Sequence, residues 1–354
     1  MNADVLSRLR CPACHSPRLD SIEFLREDDE LIEGVVWCLE CRTWYPLEDG
    51  FLDFLTGPLA YPYEKKRFWK KWESELSALS LAAPDLNPAT ADSTGGKAES
   101  QAQALQQREH FDWYASNEEQ RYSEYEVTPF WRAADRIAFD PWKAELQANE
   151  REDRWLLDVG CAQGRSSFHF MDQNLNLVGI DVSRKCIQEA ARRYREGNFR
   201  AKASFVVADG SALPFRESTV DYVLIYGVLH HLADPAETCR EVARVMKPKG
   251  VYFGQENNAT FFRAVFDLVQ KTWPIWHEEA GPEAIISARR LGQWLKPGGF
   301  RLSTRTSVFV LPHVINLTSE KAGYVILKFL DRAMGMVPWI SRNGGLIIFE
   351  ARRP

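Results

Sequence analysis

The sequence predicts an α/β protein: a doubly wound parallel sheet starting near Trp155, preceded by a small cysteine-rich unit. Three observations carry this. From Trp155 onward, short Val/Leu/Ile-rich runs alternate with helical stretches, the pattern of parallel strands covered on both faces. A glycine-rich turn follows the first of these runs. Four of the seven cysteines fall in two close pairs before residue 42.

The chain has 354 residues, 45% of them hydrophobic, enough to bury one large core and leave a second small domain. It has no uncharged apolar run of about 18 residues or more, so no membrane-spanning helix is expected. The opening MNADVLSRLRCPAC lacks the apolar centre of a secretory signal, and a cytoplasmic location is expected. A formal net charge of -5 gives no general basic field for nucleic acid.

Residues 1–56 read as one unit. Cys11-Pro-Ala-Cys14 and Cys38-Leu-Glu-Cys41 are two C-x-x-C knuckles separated by 23 residues. Two facing knuckles supply four thiolates in a tetrahedron around a structural Zn²⁺. A unit this short has little core of its own, so metal binding would be part of its folding free energy. His15 is read as a bystander, because four thiolates already close the site. Cys161, Cys186 and Cys239 are scattered and read as small apolar residues. LRCPACHSPRL and WCLECRTWYPLEDGFLDFL resemble the small zinc-ribbon activator protein that partners tRNA, rRNA and release-factor methyltransferases. Tyr-Pro-Leu-Glu-Asp-Gly, after the second knuckle, is the most specific part of the match. The resemblance spans residues 6 to about 55. It implies a module that stabilises a methyltransferase, here by packing on it within one chain. Residues 1–55 hold five arginines against twelve carboxylates, the wrong sign for gripping phosphates.

Residues 57–107 follow as a basic aromatic helix and a flexible linker. In YEKKRFWKKWESEL, Phe68, Trp69, Trp72 and Leu76 recur at helical spacing. Lys65, Lys66, Arg67, Lys70 and Lys71 beside them fit an anionic bilayer, an RNA backbone or a solvated face. AAPDLNPATADSTGGKAESQAQ has almost nothing to bury and reads as linker. Residues 108–354 form the last domain, opening with a helical, aromatic lid. Its strand candidates are WLLDVG, LVGID, FVVAD, YVLIYG, VYFGQE, RLSTRTSVFV and GGLIIFEARR. Its helix candidates are RSSFHFMDQ, RKCIQEAARRYRE and AETCREVARVM. Apolar insertions occupy 257–290 and 312–342.

WLLDVGCAQGRSS is the central motif. An apolar strand ends in Asp158, then Gly160, Ala162 and Gly164 line the turn into a helix, where backbone can approach a ligand closely. A dinucleotide turn would have a middle and a third glycine that this one lacks. Asp181, ending the second strand 23 residues later, can accept both hydroxyls of a ribose. Asp209, ending the third, can accept from an adenine amine. A strand-end Asp is often only a helix cap; three in register with a glycine turn point to a ligand.

This order resembles the S-adenosylmethionine-dependent methyltransferases of the Rossmann-like class, especially the ubiquinone and menaquinone C-methylases, closely over 155–256. The resemblance implies that Asp158, Gly160, Cys161, Ala162 and Gly164 hold the methionine end of the cofactor. Asp181 and Val182 would hold the ribose, Asp209, Gly210 and Ser211 the adenine, and Tyr226 would flank the sulfonium. Cys161, Ala162 and Gln163 depart from the family pattern but are small enough to be tolerated.

Methyl transfer needs an in-line acceptor and a dry site, and a base only when the acceptor is a hydroxyl or an acidic carbon. His230 and His231, after the fourth strand, are the candidate bases. His277 is a weaker one, and Tyr122 and Tyr125 are candidate lid residues. The apolar stretches NATFFRAVFDLVQKTWPIW and AGYVILKFLDRAMGMVPWI suit a helical cap or the mouth for a small or lipid-linked acceptor, at or near a membrane surface. The expected function is therefore O- or C-methylation of such an acceptor. The alternative is an rRNA, tRNA or protein methyltransferase with a fused zinc-binding activator; a non-catalytic cofactor-binding partner is the third class.

Overall fold

Four short strands follow the first cysteine knuckle: β1 (Leu19–Glu27), β2 (Glu30–Cys38), β3 (Trp44–Glu48) and β4 (Phe51–Asp53). They form an antiparallel meander. In this computed structural model, residues 1–27, 30–84, 96–117, 128–260, 286–310 and 312–354 are described. Helices α1 (Pro62–Lys71), α2 (Glu73–Ala78), α3 (Gly96–Asn117) and α4 (Pro129–Ala148) lead to the expected α/β alternation. That alternation comprises β5 (Trp155–Val159), α5 (Arg165–Phe168), β6 (Asn176–Asp181), α6 (Arg184–Glu196), β7 (Lys202–Val207) and β8 (Val220–Tyr226). It continues with α7 (Pro235–Val245), β9 (Met246–Asn257) and α8 (Ala288–Leu295). The chain closes with β10 (Arg301–Ser307), α9 (Pro312–Asn316), α10 (Glu320–Gly335) and β11 (Leu346–Arg352).

Among the described residues, eleven strands make one sheet in the order β1-β2-β3-β4-β7-β6-β5-β8-β9-β11-β10. Strands β7, β6, β5, β8 and β9 are parallel, and β11 and β10 close the far edge antiparallel. Strand order reverses between β5 and β8, which opens a crevice at their carboxyl ends. The ribbon is in register with this sheet: Phe51, Leu52 and Asp53 pair in parallel with Phe205, Val206 and Val207. Leu9, Tyr45, Leu52 and Phe54 share one buried cluster with Trp155, Leu157, Val206 and Phe215. A second cluster, with Phe139, Trp142, Phe205, Leu224 and Phe253, covers the opposite face. Ion pairs bind ribbon to domain. The buried Arg184 guanidinium reaches Glu48 at 2.5 Å and Asp53 at 3.2 Å, and Arg10 meets Glu241 at 3.2 Å.

Two expectations change. The basic helix α1 turns its aromatic side inward: Phe68, Trp69, Trp72 and Leu76 pack on Val35, Trp37 and Trp44 of the ribbon. Arg67 pairs with Glu48 at 2.7 Å, Lys71 with Glu33 at 2.6 Å, and the Lys65 ammonium lies 4.4 Å from the centre of the Trp44 ring. The aromatics that suited a bilayer or RNA are thus used inside the molecule, and the acidic ribbon supplies the counter-charge. Second, the stretch read as linker becomes helical at Gly96, and the boundary at 107 falls inside α3. Composition could not show this, because the helix exists to pack Ala104 and Leu105 on a surface formed far away in sequence. Helix candidate RSSFHFMDQ shortens to Arg165–Phe168, and the VFV after β10 lies outside any strand. The insertion at 312–342 forms α9 and α10. No described helix is long and apolar enough to cross a membrane. Tyr122, Tyr125, His277 and most of the 257–290 insertion lie outside the described residues.

Candidate active site and metal centre

The two knuckles fold alike. In each, the residue after the second cysteine, His15 or Arg42, has a φ near +60° and returns its N–H to the first cysteine's carbonyl, at 2.8 and 3.0 Å. This aims both thiols of a knuckle the same way. Sγ of Cys11 lies 3.6 Å from that of Cys41, and Cys14 lies 3.5 Å from Cys38. All four sulfurs fall within 4.8 Å of one another. A tetrahedron with metal–sulfur bonds of about 2.3 Å has sulfur–sulfur edges of roughly 3.8 Å, so the set can hold Zn²⁺. Among the described residues the cluster consists of these four cysteines, and His15 stands outside it.

The crevice at the switch point holds a cavity of about 570 Å³, within the range of cofactor pockets. Its floor is the glycine turn. Gly160 has φ +73°, and a Cβ there would lie 2.5 Å from a Val228 methyl. Ala162 also has a positive φ, 47°. Its N–H donates to Asp181 Oδ2 at 2.9 Å, while Ser183 N–H donates to Oδ1 at 2.9 Å. Each Asp181 oxygen keeps a second acceptor position. Burial raises the Asp181 carboxyl to about 6.

The sequence-predicted residues divide. Gly160, Cys161, Ala162, Asp181, Val182, Asp209, Gly210, Ser211, Tyr226, His230 and His231 all line the cavity. Asp158 and Gly164 do not. Asp158 is fully buried behind the turn, where its Oδ2 accepts from the Ser166 and Ser167 hydroxyls at 2.7 and 2.6 Å. It shapes the start of α5 and is not among the side chains on the cavity wall, and its Oδ1 has no hydrogen-bond partner among the described residues. Its burial raises its carboxyl to about 6. Gly164 caps α5 in the left-handed conformation at φ +86°. Asp209 Oδ1 accepts both the N–H and the hydroxyl of Ser211, each at 2.8 Å, which holds the loop after β7. Burial pushes the Cys161 thiol well up, so it serves as apolar wall.

The histidines separate as well. His230 is buried, and its Nδ1 lies 2.7 Å from Glu256 Oε2. Glu256, 1% exposed at the end of β9, also accepts the Val228 and Leu229 N–H groups on Oε1, at 3.0 and 2.7 Å. Burial and the neighbouring His230 push His231 down to about 3, too weak a base to take a proton from an acceptor. Its backbone carbonyl accepts from Gln103 of α3 at 2.9 Å, and Phe111 packs edge-on against its ring.

Sequence reasoning missed three features. Glu256 was visible only as the last residue of VYFGQE. Arg165, directly after Gly164, lines the cavity and pairs with buried Asp135 at 3.0 Å. Tyr226 donates to that same carboxylate at 2.5 Å, and the His169 ring stands 3.5 Å from it. Burial opposes the charged form of Asp135, but these donors outweigh it and hold its carboxyl below the ordinary range. Nothing local in the sequence marks Asp135, which comes from α4. The third is α3, whose Ser100, Ala104, Gln107 and Phe111 roof the cavity.

Comparison with known proteins accounts for this geometry. Residues 157–254 match the family model described as methyltransferase domain, and residues 3–50 match that of Trm112p-like protein. A probable S-adenosylmethionine-dependent methyltransferase of Mycolicibacterium smegmatis is 25% identical over 191 residues, covering 52% of this chain and 67% of that protein. The ubiquinone biosynthesis O-methyltransferase of Caulobacter vibrioides is 36% identical over 110 residues, covering 30% of this chain and 41% of that one. Among solved structures, magnesium protoporphyrin IX methyltransferase of Synechocystis aligns with a TM-score of 0.50 at 15% identity. That alignment covers 70% of this chain and 100% of that one, and it shows the fold. Both resemblances read from the sequence therefore hold, as does the Rossmann-like methyltransferase fold preceded by a ribbon.

Proposed function

We propose that this S-adenosylmethionine-dependent methyltransferase acts on a hydroxyl, or on a similarly acidic carbon, of a small-molecule or lipid-linked acceptor, with His230 as the base. The His230–Glu256 pair on the wall of the cofactor cavity carries the reading. S-adenosylmethionine, when bound, supplies an electrophilic methyl on a sulfonium. The cavity suits it: the turn at Gly160–Ala162 admits backbone-close contact, Asp181 offers acceptors for ribose hydroxyls, and Asp209, Gly210 and Ser211 border the adenine end. Arg165 stands where it would attract the methionine carboxylate. In this reading Glu256 accepts the Nδ1 proton of His230, which makes Nε2 the lone-pair nitrogen. Nε2 would then take the acceptor's O–H proton as that oxygen receives the methyl group. Glu256 acts through His230 and is a positioning residue. The four cysteines would hold Zn²⁺ as a structural ion.

A macromolecular acceptor is the second reading, favoured by the Trm112p-like match at residues 3–50. Against it stand the acidic ribbon and the net charge of -5. The test uses tritiated S-adenosylmethionine, extract from cells lacking the protein, and the purified enzyme. Label in the organic-extractable or small-molecule fraction supports the proposal; label confined to RNA or protein overturns it. His230→Asn should lower kcat by about 10²–10⁴ with cofactor affinity kept. An unchanged kcat removes His230 as base.

A further inference from the structure

We propose that the outward face of α10, with the chain that follows it to Trp339, docks on an anionic lipid bilayer and presents the cavity to a lipid-linked acceptor. The second half of this rests on the acceptor reading above. Of the fourteen large apolar side chains exposed among the described residues, eight lie between Val314 and Trp339. Phe329 is 69% exposed and Trp339 68%. They are not scattered. Helix α10 packs its other side inward: Leu327 is buried, and a Cβ on Gly323 would lie 2.8 Å from an Ile315 methyl. Val325, Phe329 and Met336 recur at helical spacing on the opposite side and form a ridge.

Charge selects the occupant. Lys321, Lys328 and Arg332 border this ridge, Arg342 follows it, and all four are exposed. The acids of the same helix are turned away from it. Glu320 pairs with Arg132 at 3.4 Å and Arg136 at 3.9 Å, and Asp331 accepts from Ser307 and the Val308 N–H. Among the described residues none of the four cations has a carboxylate partner. An apolar ridge flanked by unneutralised cations on long stems matches an anionic membrane, with Trp339 at the level of the headgroups. The face also leads to the site. Leu346, shortly after Trp339, lines the cavity, as does Trp131 of α4, the helix on which α10 packs. Of the two segments that suited a membrane surface, α1 is satisfied by the ribbon, and α10 has nothing of this kind over it among the described residues.

Co-sedimentation of the whole protein with vesicles tests this. Retention is expected on phosphatidylcholine vesicles containing phosphatidylglycerol, weak retention on phosphatidylcholine alone, and loss with added salt. Reversing Lys321, Lys328 and Arg332 to Glu should weaken binding about tenfold or more. Phe329→Ser with Trp339→Ser should do likewise, with cofactor affinity unchanged in both. Equal retention of wild type and variants, or none on anionic vesicles, overturns the proposal. So does a dimer in solution that Phe329→Ser dissociates without vesicle binding, since the occupant is then a second copy. Absent vesicle binding with extractable methylated product still formed overturns docking alone. Label confined to macromolecules overturns the acceptor reading beneath it.

Discussion

The ribbon and the cofactor crevice both bury carboxylates, but they use them in opposite ways. In the ribbon, Glu33, Glu48 and Asp53 meet Lys71, Arg67 and Arg184. Those acids join segments to one another. In the crevice, Asp158, Asp181 and Asp209 accept only from N–H groups and hydroxyls of the turns around them. A carboxylate beside a guanidinium is committed. One held by neutral donors keeps acceptor capacity for a ligand. The difference separates acids spent on joining segments from Asp181 and Asp209, which line the cavity with acceptor capacity left over.

The largest effect should come from removing the metal. We expect about one tightly held zinc per chain by elemental analysis, lost in Cys38→Ser. Thermal unfolding should then drop sharply, because structural zinc contributes on the order of 10 kcal/mol to folding of small ribbons. Here the shared sheet and core with β7 should keep part of that stability, so the methyltransferase domain should still show cooperative unfolding. Zinc content unchanged in the variant would remove the metal centre.

Next is the join itself. Arg184→Met strands Asp53 in a buried site and leaves Glu48 to Arg67 alone, and should cost about 3–5 kcal/mol in denaturant unfolding. A cost within error would mean the ribbon is held by its apolar contacts alone.

The smallest effect on stability, and the largest on binding, should follow from Asp181→Ala. Each ribose hydroxyl left unpaired costs roughly 1–3 kcal/mol of cofactor affinity, read by calorimetry. The pH dependence sharpens this. Hydroxyl donors favour ionised Asp181, whose carboxyl burial pushes up to about 6. Binding therefore releases a proton as pH falls toward that value. Affinity should be level above pH 6 and decline below it, by up to a factor of ten per unit. A flat profile down to pH 5 would mean that Asp181 does not meet the ribose.

Much of this was legible in the sequence because it is local. The knuckles state four ligands by spacing, and the glycine turn states a close approach by residue size. Asp181 and Asp209 state the strand ends, which β6 and the loop after β7 bear out. What escaped was what depends on partners distant in sequence. Asp158 belongs to the same motif as the wall residues, yet a strand's alternation turns it away from the cavity. His230 and His231 are neighbours in sequence, and only the reach of Glu256 from β9 tells them apart.

The sequence by itself determined the class of fold, the cysteine cluster and the level of the sheet at which the cavity opens. Each follows from periodicity or spacing within a few dozen residues. Tertiary structure alone decided that the ribbon extends the domain's sheet through Phe51–Asp53 and Phe205–Val207. It also decided that α1 turns its aromatic face onto the ribbon while α10 keeps an apolar face outward. Both helices are amphipathic and cationic on paper. Burial is a property of the surface opposite, and α1 found Trp44, Glu33 and Glu48 there.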